Sequence, residues 1–544
     1  MKRILIIIGA IFLSLSPAFS QLDLLTKAES SDFKSTSDYN DVMSFISGLK
    51  KSSSYIRTET IAVSVEGREI PLLVIGNPLP KSPEDLRNDK RTVVYIQCNI
   101  HAGEVEGKEA GLMYARDILK DKNSAVLKNS VILICPFINP DGNEKISPLN
   151  RTHQNGPMNG VGVRYNGQFL DLNRDGMKAE SPELRGLLKN VFNKWDPSVF
   201  MDCHTTNGSY HVEPVTFTWA VNPNGDNSLI KYMRDKMMPA MHQTLFEKYK
   251  VENCFYGEFV DMLEPEKGWI LDASEPRYIT NYYGLRNRLG ILNENYVYSD
   301  YKARVLGCYY LIHSLMDYVS GHGQEIKQLL KETDEKTVSR GLNPSPADSF
   351  AIEYDVRPAP EKVLVKTYEA ELVSQSEGYP NYRKTDRRKD VTVPYLIDYY
   401  PRKSIAFPFA YLLTVPDPDI LELLKAHGIH VEKLATDSKI TAESFIVTGL
   451  KPAARLNQGH YTNTITGRHE MVSVNFPAGT LVIRTAQPLA NVAAYLLEPE
   501  SNDGLVFWNF FDRYLVPQWG SGFNDFPVYR VLGKTDLRTE SYTR

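Results

Sequence analysis

A histidine and a glutamate stand three residues apart just after an apolar, strand-like run. The run is "TVVYIQC", and the stretch "NIHAGEVEGKE" that follows it contains His101 and Glu104. An imidazole and a carboxylate at this spacing can bind one metal ion, but the pair is also typical of a strand end or a helix cap. Taken alone, the pair is weak evidence for a metal site.

Other strand-like runs also end in polar residues, namely Asn139, Asp141, Asp202, His204 and Glu294. In an open α/β sheet, ligands bind beyond the carboxyl ends of the strands. Two histidines and one carboxylate form a known catalytic zinc set that leaves a fourth position for water. His101, Glu104 and His204 would complete such a set, although a single histidine is more often an ordinary buried residue.

Strand and helix patterns alternate from residue 40 to about residue 320. "TIAVSVEGREIPLLVIGNP" predicts a hairpin, and "RTVVYIQCNI", "SVILICPFI", "PSVFMDCH" and "LGILNENY" predict buried strands. "EGKEAGLMYARDILK" and "SPELRGLLKNVFNKW" have helical spacing. Buried strands that alternate with helices predict an α/β fold with a mixed, mostly parallel central sheet and helices on both faces.

The segment "GLNPSPADSF" at residues 341–350 interrupts this pattern. It loses helical periodicity and contains two prolines, which favours a domain boundary. Short strand patterns such as "KVLVKTYEAELV" and "TLVIRTA" follow, with one clear helix at "DPDILELLKAHG". We therefore expect an α/β domain over residues 21–340 and a β-rich accessory region over residues 350–544.

The composition is that of an ordinary folded protein. The chain has 544 residues, of which 42% are hydrophobic, and its 62 basic and 66 acidic residues give a formal net charge of −4. No long run of basic residues builds the positive field that nucleic acid or an anionic membrane surface requires. We expect neither as a partner.

The first twenty residues have the pattern of a secretory signal peptide. "MKR" is followed by the apolar run "ILIIIGAIFLSL" and by small residues in "SPAFS". An uncleaved anchor is the alternative, but the run is short for a membrane span. The five cysteines are few for an exported chain, and pairing of Cys254 with Cys308 is left open. We expect an exported protein, periplasmic or secreted, without a membrane anchor.

Five motifs together resemble one family. "HAGE", "NPDG", "LDLNRD", a strand that ends in "DCH", and "ILNENY" occur in the order found in the zinc metallocarboxypeptidases related to carboxypeptidase A. The resemblance covers roughly residues 40–320. It implies one zinc ion per chain with His101, Glu104 and His204 as ligands, and it makes residues 21–340 a catalytic domain.

The resemblance also implies roles for the residues around the zinc ligands. Asp171 would hydrogen-bond the far nitrogen of His101, and Asn173 with Arg174 would hold the terminal carboxylate of the substrate. The resemblance makes Glu294 the catalytic carboxylate. An unpaired glutamate is rare in a buried strand, which favours a functional role over a solvated one.

The resemblance leaves alternatives for two further roles. Arg151 would stabilise the oxyanion, with Arg164 as a rival. Tyr282 and Tyr283 are the candidates for a tyrosine that caps the bound substrate.

The resulting hypothesis is a zinc-dependent carboxypeptidase that acts on peptides with a free C-terminal carboxylate. One alternative is the same chemistry on the peptide stems of a cell wall. Another is a catalytically silent carboxypeptidase-like module that only binds ligands.

Overall fold

The computed structural model describes residues 24–86, 88–376 and 379–542. Its strands are β1 (Ile56–Val63), β2 (Glu69–Ile75), β3 (Thr92–Cys98), β4 (Ser130–Cys135), β5 (Val199–Thr206), β6 (Val215–Trp219), β7 (Asn253–Phe255), β8 (Glu258–Phe259), β9 (Trp269–Ile270), β10 (Leu289–Tyr296), β11 (Ser349–Ser376), β12 (Tyr379–Ala406), β13 (Ala410–Leu413), β14 (Glu432–Leu434), β15 (Ser438–Pro452), β16 (Asn463–Phe476), β17 (Leu481–Arg484), β18 (Val528–Val531) and β19 (Thr539–Ser541).

The α-helices are α1 (Lys27–Ser30), α2 (Tyr39–Ser52), α3 (Glu106–Lys120), α4 (Ala125–Asn129), α5 (Pro140–Asn143), α6 (Pro182–Leu187), α7 (Asn227–Tyr232), α8 (Met238–Glu247), α9 (Ile279–Leu285), α10 (Tyr301–Leu342), α11 (Pro418–His427), α12 (Ala490–Leu497) and α13 (Asp512–Leu515). Short 3₁₀ or π turns occur at Pro83–Leu86, Leu172–Arg174, Leu188–Phe192, Met233–Met237 and Pro265–Lys267.

An eight-stranded sheet carries the predicted site residues. Its strand order is β1-β2-β4-β3-β5-β10-β6-β7. The four central strands, β4, β3, β5 and β10, run parallel to one another, and β1, β2 and β6 supply antiparallel pairs. The mixed, mostly parallel sheet and the β1–β2 hairpin are thus confirmed. Every residue of β3, β4 and β5 is buried, as expected for strands covered on both faces.

Alternate residues of each strand serve two different hydrophobic clusters. Leu73 and Ile75 of β2 belong to a cluster with α2, α3, α8 and α10, whereas Leu72 and Val74 belong to a cluster with α6 and α9. This alternation follows from the two-residue period of a strand. It keeps the sheet fixed between two helical layers, so its carboxyl edge is a rigid support for functional side chains.

The C-terminal region is rich in strands, as predicted. β13 to β19 form a seven-stranded sheet, and β11 with β12 forms a long hairpin that pairs with β9 of the α/β part. Ile420 and Leu424 of α11 lie in the same hydrophobic cluster as Leu184 of α6. The two parts share a core, while the domain boundary at residues 341–350 stays a prediction.

The cysteines are structural side chains. All five are buried and free, so Cys254 and Cys308 form no disulfide. Burial raises the pKa of the Cys98, Cys135 and Cys254 thiols, because a thiolate would lose its hydration there.

The sequence analysis predicts a signal peptide and no membrane anchor. The signal peptide at residues 1–20 lies outside the described residues. Within the described residues, no helix combines the length and apolar character that a membrane span needs.

A buried histidine joins the α/β part to the C-terminal region. His427, the last residue of α11, accepts a hydrogen bond at Nδ1 from the Tyr282 hydroxyl at 2.7 Å and donates from Nε2 to the Met177 carbonyl at 2.9 Å. A neutral ring satisfies both contacts. Burial lowers the pKa of His427 from 6.5 to about 3, and the nearby Arg286 adds to this effect.

We expect His427→Gln to flatten the acid dependence of stability. The folded pKa lies below the unfolded one, so the unfolded chain binds more protons between pH 6.5 and about 3. The contribution of His427 is therefore complete above pH 6.5 and is lost as the pH falls towards 3, by up to about 1.4 kcal/mol per pH unit. Urea denaturation at a series of pH values measures the slope, and equal slopes in both proteins would contradict this.

Candidate active site

The turn between β3 and α3 holds two of the predicted ligands. Asn99 has a φ of 62°, a left-handed conformation that turns the chain sharply as β3 ends. Its side-chain Nδ2 donates to the carbonyl of Glu104 at 3.1 Å, and the Glu104 N–H donates to the carbonyl of His101 at 2.9 Å. These bonds close the turn, so the side chains of His101 and Glu104 lie next to each other.

The neighbouring strands β5 and β10 supply His204 and Glu294. These two residues are register partners in a parallel pair, so their side chains leave the sheet on the same face. β5 also pairs with β3, where Cys203 is the partner of Cys98. The ring of His204 therefore reaches the turn that carries His101.

The three predicted metal ligands converge on one point. Their ligand atoms lie within 4.8 Å of one another, and all three side chains are buried. His101 Nδ1 lies 3.0 Å from Glu104 Oε1, and His204 Nδ1 lies 3.1 Å from Glu104 Oε2. The two Nδ1 atoms are 3.3 Å apart.

Two further carboxylates determine what these rings can bind. His101 Nε2 lies 2.9 Å from Asp171 Oδ1, and His204 Nε2 lies 2.8 Å from Asp202 Oδ2. A carboxylate only accepts hydrogen bonds, so each Nε2 is the donor and a neutral ring presents a lone pair at Nδ1. Two such lone pairs beside Glu104 repel one another unless a cation lies between them. The arrangement therefore fits a metal ion with nitrogen and oxygen ligands, as zinc prefers.

The electrostatic field at this point also favours a cation. Burial alone would lower the pKa of His204, but Asp202 and Glu104 raise it well above its usual value. Burial alone would likewise raise the pKa of Asp171, but His101 and Arg164 hold it far below its usual range. Ionised carboxylates thus remain around the rings, and positive charge is stabilised between them.

Glu294 has a different protonation behaviour from the carboxylates around it. Burial raises its pKa to about 8, with a smaller opposing effect of His204 and a smaller reinforcing effect of Glu104. A carboxyl group with a pKa near the working pH can both take and return a proton. This behaviour suits a general base that later acts as an acid.

Three partly exposed arginines surround the cluster. Arg151 Nη2 lies 2.5 Å from Glu104 Oε1, and Arg164 Nε lies 2.8 Å from Asp171 Oδ2. Arg174 Nη1 lies 3.8 Å from Asp171 Oδ2. The side chains of Arg151, Arg164 and Arg174 are 19%, 33% and 25% exposed, so a ligand can reach them. The choice of Arg151 over Arg164 for the oxyanion stays a prediction.

Asn173 and Arg174 lie beside a tyrosine that the sequence analysis did not single out. Asn173 Oδ1 accepts from the N–H of Ile279 at 3.1 Å, which brings the start of α9 to this loop. The guanidinium of Arg174 lies 4.5 Å from the ring centre of Tyr278, a cation–π contact. Tyr278 is only partly buried, so it can contact a bound ligand.

The structure does not bring Tyr282 and Tyr283 to the cluster, and the prediction that they cap the substrate is wrong. Both side chains are fully buried. The Tyr282 hydroxyl bonds to His427, and the Tyr283 hydroxyl donates to the carbonyl of Pro197. Tyr278 precedes α9 as its N-cap residue with an extended backbone, whereas Tyr282 and Tyr283 lie inside the helix.

Two side chains beside the cluster, Asp202 and Tyr278, were not assigned a role from the sequence. Asp202 stands two residues before His204 in a strand, so the two-residue period already places both on one face. Tyr278 had no such signal, because its proximity to Arg174 depends on how α9 packs against the "LDLNRD" segment.

Comparisons with known proteins agree with this geometry. Residues 42–250 match the family described as zinc carboxypeptidase. The matched segment runs from α2 to just beyond α8 and contains the three predicted zinc ligands.

Two relatives and one solved structure are similar to this chain. "Carboxypeptidase 2" of Trichophyton rubrum is 22% identical over 92% of this chain and 90% of its own length. "Carboxypeptidase D" of Mus musculus is 29% identical over 30% of this chain and 11% of its own length. A solved putative carboxypeptidase A from Shewanella denitrificans has 17% identity and a TM-score of 0.38, and covers 53% of this chain and 69% of its own.

The protein is a metallopeptidase of the carboxypeptidase type. The family match contains His101, Glu104, Asp171 and His204 but ends before Glu294. The position of Glu294 in this carboxypeptidase is therefore established by the β5–β10 register.

We expect a substitution of Tyr278 to affect KM and a substitution of Tyr282 to affect stability. Tyr278→Ala removes the ring beside Arg174 and should raise KM for peptides about two- to thirtyfold, the range of a cation–π contact of about 0.5–2 kcal/mol. Tyr282→Phe should leave KM unchanged but lower stability by about 1–3 kcal/mol, because Nδ1 of His427 loses its partner. Steady-state kinetics and denaturation of both variants test this, and the reverse pattern would contradict it.

Proposed function

We propose that this metallocarboxypeptidase binds one zinc ion per chain through His101, Glu104 and His204 and releases residues from the free C-terminus of peptides. The observation that supports it is the combination of a buried two-histidine, one-carboxylate cluster with partly exposed arginines beside it. A zinc ion bound there would act as a Lewis acid and lower the pKa of a water from 15.7 to about 7.

Glu294 moves the proton in this proposal. It takes a proton from the attacking water and delivers it to the leaving amine, a role that typically contributes about 10² to 10⁴ in rate. Its raised pKa of about 8 supports the second half of this role, because the protonated form is then accessible near neutral pH.

The arginines bind charge on the substrate. Arg174, with Asn173, holds the terminal carboxylate, for which the two parallel donors of a guanidinium are well suited. Arg151 donates to the oxyanion that develops at the scissile carbonyl, where one donor is worth roughly 3 kcal/mol. Tyr278 lies against Arg174 and covers the same end of the substrate.

The proposed setting is outside the cytoplasm. The charged start, apolar run and small residues of positions 1–20 support export. Peptides with a free C-terminus are the proposed substrates, and neither nucleic acid nor a membrane anchor has a role in the proposal.

Metal analysis tests the ligand set. The purified protein should contain about one equivalent of zinc, because three protein ligands and one open position define a catalytic site. His204→Ala should lose most of that zinc, whereas His322→Ala, on the exposed surface of α10, should retain it. Full zinc in the His204 variant would refute the assignment.

Substitutions of Glu294 and Arg174 should change different kinetic constants. Glu294→Gln should lower kcat by about 10² or more and leave KM nearly unchanged, since it removes only proton transfer. Arg174→Ala should mainly raise KM, by roughly 10- to 100-fold, because charge-assisted hydrogen bonds are worth about 1.5–3 kcal/mol. Arg174→Lys keeps the charge without the paired donors and should fall between.

Amidated peptides complete this comparison. Blocking the terminal carboxylate should impair the wild-type enzyme strongly and Arg174→Ala much less, since that partner is already lost. Equal cleavage of free and amidated peptides by the wild-type enzyme would refute the carboxypeptidase proposal and leave an amidase of other specificity. Zinc binding without cleavage of any peptide would favour a silent binding module.

A further inference from the structure

A tight turn from the C-terminal region reaches the catalytic loop. The chain between β15 and β16 reverses at Asn457–His460, where the two end residues exchange backbone hydrogen bonds of 2.8 and 3.0 Å. Gln458 and Gly459 have φ values of 53° and 84°, as the central residues of a type I′ turn require. The turn is therefore compact, and it presents the Gln458 side chain in a defined direction.

Gln458 bonds to the backbone of the residue that orients His101. Its Oε1 accepts a hydrogen bond from the N–H of Asp171 at 2.7 Å, across 287 positions of sequence. Asp171 Oδ1 in turn accepts from His101 Nε2 at 2.9 Å and from the Asn173 N–H at 3.0 Å. A shift of the Asp171 backbone would thus move the ring of His101 and the start of the Asn173–Arg174 segment together.

The other end of the same loop is also held by this turn. His460 Nε2 lies 2.8 Å from Glu180 Oε1. Glu180 Oε2 accepts from the Lys178 ammonium at 2.7 Å, and Lys178 also bonds to Asp175 at 2.9 Å. The turn therefore contacts the loop at both Asp171 and Glu180, and Arg174 lies between these two points.

We propose that Gln458 is a positioning residue of the active site, and that the C-terminal region acts through it on zinc affinity and on capture of the substrate carboxylate. The inference rests on the proposed function, since it assumes that His101 binds zinc and that Arg174 binds the carboxylate. Gln458 touches neither group. It holds the Asp171 backbone, on which both depend.

The physical reason lies in how precisely a metal ligand must be oriented. Removing an outer hydrogen-bond partner of a ligand typically costs about 10- to 100-fold in metal affinity or activity. Gln458 is one hydrogen bond further from the metal, so we expect its loss to weaken zinc binding about fivefold. Loops are otherwise the mobile parts of a fold, and a contact from a separate region restricts that motion.

Three full-length variants test the inference. Gln458→Met keeps the length of the side chain but removes the acceptor, and Gln458→Glu keeps an acceptor at the same place. Methionine and glutamate are unbranched at Cβ, as glutamine is. All three residues therefore adopt the positive φ at position 458 with a similar side chain. Gln487→Met is the matched control, because Gln487 Oε1 also accepts from a backbone N–H, that of His430 at 2.8 Å, away from the catalytic loop.

The measurements are the zinc dissociation constant by chelator competition, KM and kcat for one peptide with a free C-terminus, and thermal stability. Gln458→Met should weaken zinc binding about fivefold and raise KM by a similar factor. Gln458→Glu should restore zinc affinity to within about twofold of wild type, and Gln487→Met should change neither constant.

The outcomes separate the inference from the proposed function. A zinc dissociation constant and KM within about twofold of wild type for Gln458→Met would overturn the inference and leave the proposed function standing. Equal changes in Gln458→Met and Gln487→Met would also overturn it, because they would indicate a general loss of stability. A wild-type protein that binds no zinc would overturn the proposed function and the inference with it.

Discussion

Two buried carboxylates, Asp171 and Asp202, orient the rings of His101 and His204 so that their lone pairs face each other. The rest of the site depends on this constraint. A neutral imidazole that donates at Nε2 has only an acceptor left at Nδ1, and two such acceptors beside the Glu104 carboxylate are unfavourable without a proton or a metal cation between them. The parallel sheet makes the arrangement possible, because it places the ends of β3 and β5 side by side.

The arrangement also sets the charges around the reacting bond. Glu104 and Asp171 stay ionised, because His101 and an arginine beside each carboxylate outweigh the effect of burial. Glu294 has no such partner within the described hydrogen bonds, and burial keeps its pKa near 8. Carboxyl groups at one sheet edge thus divide into those whose pKa is held low and one whose pKa is raised. Differences in their immediate neighbours produce this division.

The C-terminal region contributes to the same site from outside the central sheet. Arg277, next to Tyr278, bonds to the buried Asp503, and Gln458 bonds to the Asp171 backbone. The loops that carry Tyr278 and Arg174 are therefore held between two structural units. Burial raises the pKa of Asp503 to about 6, so the ion pair with Arg277 weakens in mild acid. Loops supported in this way can keep a fixed geometry while their tips remain open to substrate.

The sequence by itself determined the strands, the order of the site motifs and the central cluster. Apolar runs bounded by turns predict buried strands, and a functional residue at a strand end needs only that strand to be placed correctly. His101, Glu104, His204 and Glu294 are all of this kind. Their convergence follows from the parallel order of β3, β5 and β10.

Only the tertiary structure decided the residues whose neighbours come from other segments. Tyr278 reaches Arg174, while Tyr282 and Tyr283 enter the core, because of how α9 packs against the "LDLNRD" segment and against α11. Gln458 reaches Asp171 across 287 positions of sequence. Local patterns record which face of a helix or strand is apolar, but they contain no information about which distant segment will cover it. For that reason the cluster of His101, Glu104 and His204 could be predicted from the sequence, whereas the positions of Tyr278 and Gln458 beside it required the fold.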